Sequence, residues 1–286
     1  MPTKIEKDAI SGRDTTGHEW DGVKELNTPL PTWWVYTFYA TIVFAVVYCV
    51  LYPALPSLSG HTTGLLGYTN RAQLARDLDE QAKARAKYVE RIRTASFDEI
   101  RKDPELYSFA VAGGRSAFQT NCMQCHGAGG GGGKGFPALV DDDWLWGGKI
   151  DQIYQTIRFG IRNANEKSRQ TNMPRFGVDG VLTADQVGAV TDYVLSLSGN
   201  GKATPEGAKI FQEQCAACHQ ATGKGNQEMG APDLTDSIWL YGGDRASVYR
   251  TVFYARNGSM PAWSERLDEA TMKMLALYVH ALGGGK

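Results

Sequence analysis

From Leu26 to Asn70 the chain carries no charged side chain. The centre of this stretch, "WWVYTFYATIVFAVVYCVLYPAL" (Trp33 to Leu55), is apolar all round. As a helix it would rise about 34 Å, enough to cross a hydrocarbon core of about 30 Å. Trp33, Trp34 and Tyr36 sit at one end, with Tyr48 and Tyr52 toward the other, where amphipathic rings suit the two membrane interfaces. Pro31 suits a first turn, and Pro53 and Pro56 suit an exit. The pattern predicts one transmembrane helix over residues 31–56 and a lipid bilayer around it. A buried core helix is the plainer alternative. A cleaved signal peptide fits poorly, because the polar residues 1–30 precede the run.

The pattern then changes. "TNRAQLARDLDEQAKARAKYVERI" (Thr69 to Ile92) is built from good helix formers, with a thin apolar face of Leu74, Leu78, Val89 and Ile92. Asp79 and Lys83 stand four apart in the favourable order. A solvated helical arm is expected within residues 57–108.

Beyond Ala110 the chain repeats itself. "FQTNCMQCHG" (from Phe118) is answered by "FQEQCAACHQ" (from Phe211), and "GFPAL" by "GAPDL". "DDDWLWGG" is answered by "DSIWLYGG", "IYQTIRFGIRN" by "VYRTVFYARN", and "NMPRF" by "SMPAW". "LTADQVGAVTDYVLSLSG" is answered by "LDEATMKMLALYVHALGG". These ordered matches predict two copies of one domain, at 109–199 and 202–286. The first copy carries extra residues between Asn163 and Met173. Each copy reads as helical. Thr204-Pro205 is an N-cap followed by proline at the first helical position, and Thr183 with Gln186 forms a capping box. Val187, Val190, Val194 and Leu197 follow on one face. No sustained period of two occurs, so little strand is expected. The fold class is mainly α.

A net charge of -1 offers no electrostatic case for nucleic acid. The five cysteines change the picture. Cys49 lies in the apolar run and reads as a small buried hydrophobe. The other four form Cys122-Met-Gln-Cys125-His126 and Cys215-Ala-Ala-Cys218-His219. Cys-x-x-Cys-His is the c-type haem attachment pattern. Two sulfurs form thioethers to one porphyrin's vinyl groups, and the adjacent histidine supplies its imidazole to iron. A four-cysteine zinc site usually spaces its two arms by about 15–20 residues. Cys125 and Cys215 are far wider apart. A thioredoxin-like pair needs a βαβ setting that the pattern lacks. Two covalent haem c groups are expected.

Low-spin electron carriers place methionine opposite histidine, which raises the reduction potential. Met173-Pro174 and Met260-Pro261 occupy matched positions. The simple expectation pairs His126 with Met173 and His219 with Met260. Met123, Met229, Met272 and Met274 read as packing or surface, and His18, His61 and His280 fall outside the repeat. Trp144, Trp146, Trp239 and Tyr241 match across copies and read as core around the porphyrin. The run Gly129–Gly133 fails as a phosphate loop, because Ala128 and Gly135 break the motif, and reads as a flexible loop beside the haem. Two six-coordinate irons leave no open site, so the expected work is electron transfer. A dihaem peroxidase would need a vacant iron position. Oxygen reduction needs histidine-rich spans, and this span contains no histidine.

The stretch "GHEWDGVKELNTPLPTWWVYTFYATIVFAVVYCVLYPALP" (Gly17 to Pro56), with the arm and the tandem motifs, resembles the dihaem subunit of cbb3-type cytochrome c oxidases, known as CcoP or FixP. The resemblance covers nearly the whole chain. It implies two class I cytochrome c-like domains behind one transmembrane helix. It also implies a complex with a catalytic haem–copper subunit and a monohaem cytochrome c membrane subunit, fed by a soluble c-type cytochrome. That complex reduces oxygen to water and pumps protons. Residues 1–30 would be cytoplasmic and the haem domains periplasmic, at the bacterial inner membrane. The resemblance further implies exchanged methionines, His126 with Met260 and His219 with Met173. A free-standing membrane-anchored dihaem carrier is the alternative, with the dihaem peroxidase a third reading.

Overall fold

The computed structural model describes residues 4–285. The chain divides into two compact units, Met1–Lys83 and Ala84–Lys286.

The first unit opens with an antiparallel hairpin of β1 (Thr15–Trp20) and β2 (Val23–Leu26). Asp21 and Gly22 turn it with φ of 48° and 85°, the left-handed pair that a tight hairpin demands and that Asp-Gly supplies. This strand pair was not expected from the pattern, since one short hairpin leaves no sustained alternation. Helix α1 (Thr32–Leu51) follows. It stops short of Leu55 because Tyr52 turns extended ahead of Pro53. None of its residues is buried, and its mean hydropathy is 1.9. The buried-core alternative therefore fails, and α1 is long and apolar enough to cross a membrane. Cys49 is half-exposed within the chain rather than buried, although Leu65 and Leu66 fold back to donate to the Val50 and Leu51 carbonyls at 2.9 and 3.1 Å. A two-residue hairpin, β3 (Pro56–Ser57) with β4 (Gly60–His61), comes next. Helix α2 (Asn70–Thr94) is the expected arm, and Asp79 and Lys83 pair at 2.6 Å.

The second unit is helical. It holds α3 (Phe97–Lys102), α4 (Pro104–Asn121), the single turn α5 (Met123–His126), α6 (Ile150–Phe159) and α7 (Ala184–Leu197). Then come α8 (Pro205–Ile210), a π-helical turn (Phe211–Cys215), the single turn α9 (Ala216–His219), α10 (Arg245–Tyr254) and α11 (Glu269–His280). The Thr183–Gln186 capping box and the Thr204 cap with Pro205 form as read. Asp103 and Asp268 cap α4 and α11 in the same way.

Two apolar cores hold these helices, and neither follows the repeat boundary. Helix α11, which closes the second copy, packs on α4 and α6 of the first. Helix α7, which closes the first copy, packs on α8 and α10 of the second. One core gathers Ile92, Ile100, Phe118, Ile153, Ile157 and Leu275. The other gathers Phe176, Val187, Val190, Phe211, Val248 and Val252. Phe118 and Phe211 are fully buried, each contributing about 2–3 kcal/mol by removal from water.

Each exchanged crossing is closed by a glycine at the same repeat position. A Cβ on Gly114 would lie 2.1 Å from the carbonyl oxygen of Met274, and one on Gly207 would lie 2.3 Å from that of Ala189. Backbone meets backbone there, so a side chain cannot be accommodated by a rotamer change.

A shared cavity carrying both cysteine–histidine motifs

Each motif stands on a short helical turn. The Cys125 and His126 amides donate to the Cys122 carbonyl at 3.1 and 3.0 Å, coiling the segment so that both cysteines and the histidine converge. Pro137 and Pro232 explain the matched "GFPAL" and "GAPDL" blocks. His126 Nδ1 donates to the Pro137 carbonyl at 3.0 Å, and His219 Nδ1 to the Pro232 carbonyl at 3.1 Å. A carbonyl only accepts, so Nδ1 carries the proton and Nε2 keeps its lone pair for a metal. Burial holds both imidazoles below their usual range, partly offset by these carbonyls. Neutral, correctly tautomeric imidazole is the ligand form.

The glycine-rich run is tied rather than flexible. Gly132 donates to the His126 carbonyl at 2.8 Å, and Gly225 repeats this on His219 at 3.0 Å. Gly132 sits at φ 68°, where a Cβ would lie 2.6 Å from the Ala138 nitrogen. The glycines fold the loop against the histidine.

All eight residues singled out from the sequence line one continuous cavity: Cys122, Cys125, His126 and Met260, together with Cys215, Cys218, His219 and Met173. Burial pushes the Cys122 thiol up to about 11 and that of Cys215 to about 12, with the second cysteine of each motif adding to the rise. Thiols so held stay protonated. The buried indole N–H of Trp239 has no acceptor among the described residues, and Trp239 lines the cavity. An acidic edge on a bound cofactor would supply one. The residues present therefore fit covalent haem. Of the methionines read as packing, Met272 and Met274 are buried on α11, whereas Met229 lines the cavity.

Asparagines hold the two methionine loops, a role with no local signal in the sequence. Asn163 Nδ2 donates to the Met260 carbonyl at 2.8 Å, and Asn257 Nδ2 to the Met173 carbonyl at 3.2 Å. Asn257 Oδ1 also accepts from the Met173 amide at 3.0 Å. Each matched asparagine thus grips the methionine of the other copy. Met260 has a further hold. Its amide and carbonyl exchange hydrogen bonds with Ile161, both at 2.9 Å. "IYQTIRFGIRN" is longer than "VYRTVFYARN", and Ile161 is the added residue. Met260 packs against the core that includes Cys122, and Met173 against the core that includes Cys215.

Comparison with known proteins gives the family. Residues 12–59 match the N-terminal domain of cytochrome oxidase-cbb3, FixP, and residues 109–194 and 202–279 each match cytochrome c oxidase, cbb3-type, subunit III. The chain belongs to the FixP/CcoP family of cbb3-type cytochrome c oxidase subunits. It is 54% identical over 290 residues to subunit FixP of Bradyrhizobium diazoefficiens, covering 100% of both chains. It is 51% identical over 291 residues to subunit CcoP of Azospirillum brasilense, covering 98% of this chain and 99% of that one. It is 48% identical over 290 residues to subunit CcoP of Cereibacter sphaeroides, covering 100% of both. The FixP/CcoP assignment makes this chain a c-type cytochrome subunit of an oxidoreductase complex, working in electron transport, and the matched domains imply c-type haem. It displaces the free-standing carrier and peroxidase readings.

Proposed function

We propose that the chain carries two haem c groups and relays electrons between a soluble c-type cytochrome and the catalytic haem–copper subunit of its oxidase. Cys122 and Cys125 would hold one haem covalently, with His126 and Met260 as its iron ligands. Cys215 and Cys218 would hold the other, with His219 and Met173. The observation that carries this reading is the crossed packing: the Met260 loop shares a core with Cys122, and the Met173 loop shares one with Cys215. The sequence domains 109–199 and 202–286 would then each lend a closing helix and a methionine to the other.

Bound haem supplies reversible one-electron storage. The protein's share is to orient it. Pro137 and Pro232 hold the imidazoles, and Asn163 and Asn257 hold the methionine loops. Apolar walls favour methionine-ligated, high-potential iron. Helix α1 would anchor the chain in the inner membrane, with residues 1–30 cytoplasmic and the haem units periplasmic. A monohaem cytochrome c membrane subunit would complete the complex.

The test is haem stoichiometry and ligand assignment in the purified oxidase. Two covalent haems on this chain are expected. M260A should remove the methionine signal of the haem that H126A also disturbs, and M173A that of the haem that H219A disturbs. A within-copy pattern would overturn the exchanged pairing. A chain without covalent porphyrin would overturn the whole reading.

A further inference from the structure

Arg162 and Arg256 occupy the same position in the two copies, yet their guanidiniums do different things. Arg256 stays within its own copy, donating to Thr251 Oγ1 at 3.0 Å, to the Ser247 carbonyl and to the Tyr241 carbonyl at 3.5 Å. Arg162 reaches two separate loops. Its Nε donates to the Thr171 carbonyl at 2.8 Å, and its Nη1 to the Gly258 carbonyl at 2.8 Å. Thr171 lies just ahead of Met173, and Gly258 just ahead of Met260.

We propose that Arg162 is a positioning residue shared by both iron sites, its single guanidinium bracing the Met173 loop against the Met260 loop. This rests on the reading that both methionines are axial ligands. Three further observations support it. The Arg162 backbone is in the left-handed region, at φ 48°, which a non-glycine residue adopts only at a cost. It is held there by the Ile161–Met260 exchange on one side and by donation of its own amide to the Arg169 carbonyl at 2.8 Å on the other. The side chain lies against the Trp146 ring, 5.8 Å from its centroid, which limits its swing. No carboxylate pairs with Arg162 among the described residues. Its fork is therefore committed to the two carbonyls, as charge-assisted bonds. A lysine is a point charge without that fork and cannot satisfy both loops in the same geometry. The consequence is coupling, since whatever loosens this one side chain loosens sulfur presentation at both haems.

The experiment uses the intact oxidase complex. The far-red absorption of methionine-ligated ferric haem and a potentiometric titration are read for wild type, R162Q, R162K, N257A, M173A and M260A. M173A and M260A should each remove one methionine signal and so label the two haems. R162Q should weaken both signals and lower each haem's reduction constant about tenfold, equivalent to ~59 mV for one electron. Covalent haem content should stay unchanged. R162K should weaken both signals too, although it keeps the charge. N257A should affect only the signal labelled by M173A. If R162Q alters neither haem or only one, or if R162K matches wild type, the shared brace is wrong while the ligand assignment stands. If M173A and M260A leave the signals intact, the ligand assignment itself falls and takes the brace with it.

Discussion

Phe118 packs its ring on Tyr278, with centroids 5.3 Å apart, although the repeat places Tyr193 within Phe118's own copy. Tyr193 instead meets Phe211, the counterpart of Phe118, at 5.2 Å. The same exchange is therefore made twice, by matched residues. Gly114 and Gly207 lie one helical turn before the two phenylalanines and set how closely the exchanged helices approach.

Substituting either glycine tests that crossing. G114A and G207A should each destabilise the helical unit by about 3 kcal/mol, the upper part of the range for overpacking, because each new Cβ meets a carbonyl rather than a movable side chain. Thermal melting of the haem-loaded protein checks it. Wild-type melting temperatures in both variants would show that the helices can separate without loss.

Asp143 gives a pH signature. Burial, reinforced by Asp236, Asp141, Asp233 and Asp142, raises its carboxyl to about 6 in the folded chain, against 3.8 ordinarily. A raised carboxyl favours folding below pH 3.8, and that favour is lost as pH climbs through about 6. D143N should therefore be more stable than wild type at pH 7, by roughly 1 kcal/mol after allowance for solvent screening. The difference should vanish near pH 4. A D143N protein less stable than wild type at pH 7 would contradict this.

Lys273 on α11 reaches the end of α2, donating from Nζ to the Arg93 and Ala95 carbonyls at 2.8 and 2.9 Å. It satisfies orphan carbonyls at a helix C-terminus with a positive charge. K273M should cost about 1–2 kcal/mol and should speed amide exchange in the last turn of α2. Unchanged exchange there would mean that water caps the helix equally well.

Val43 sits near the middle of α1 and is 63% exposed within the chain. V43R should raise the insertion cost by about 3 kcal/mol and shift the chain out of the membrane fraction. Soluble and membrane fractions, separated after expression, report it. Retention equal to wild type would mean that α1 is not surrounded by lipid.

Local chemistry explains why much of this protein was legible in sequence. Cys-x-x-Cys-His spacing, the uncharged apolar run and the Thr183 and Thr204 caps involve neighbours along one chain, where geometry is dictated by helix pitch and bond lengths. The Asp21-Gly22 hairpin carried a local signal too, but the absence of sustained alternation hid it. Asn163, Asn257 and Arg162 were not legible as position-setters, because their partners lie in distant loops and an asparagine or arginine offers the same donors anywhere.

The amino-acid sequence alone determined the uncharged apolar run, the tandem copies, the two Cys-x-x-Cys-His motifs and the matched Met-Pro positions. Tertiary structure alone decided which copy's last helix and methionine loop packs on which core. Matched repeats have interchangeable apolar faces, so hydrophobic pattern cannot choose between a helix's own partner and its twin's. The choice is made by backbone approach at Gly114 and Gly207 and by hydrogen bonds such as Ile161 to Met260, which exist only once the chain has closed on itself.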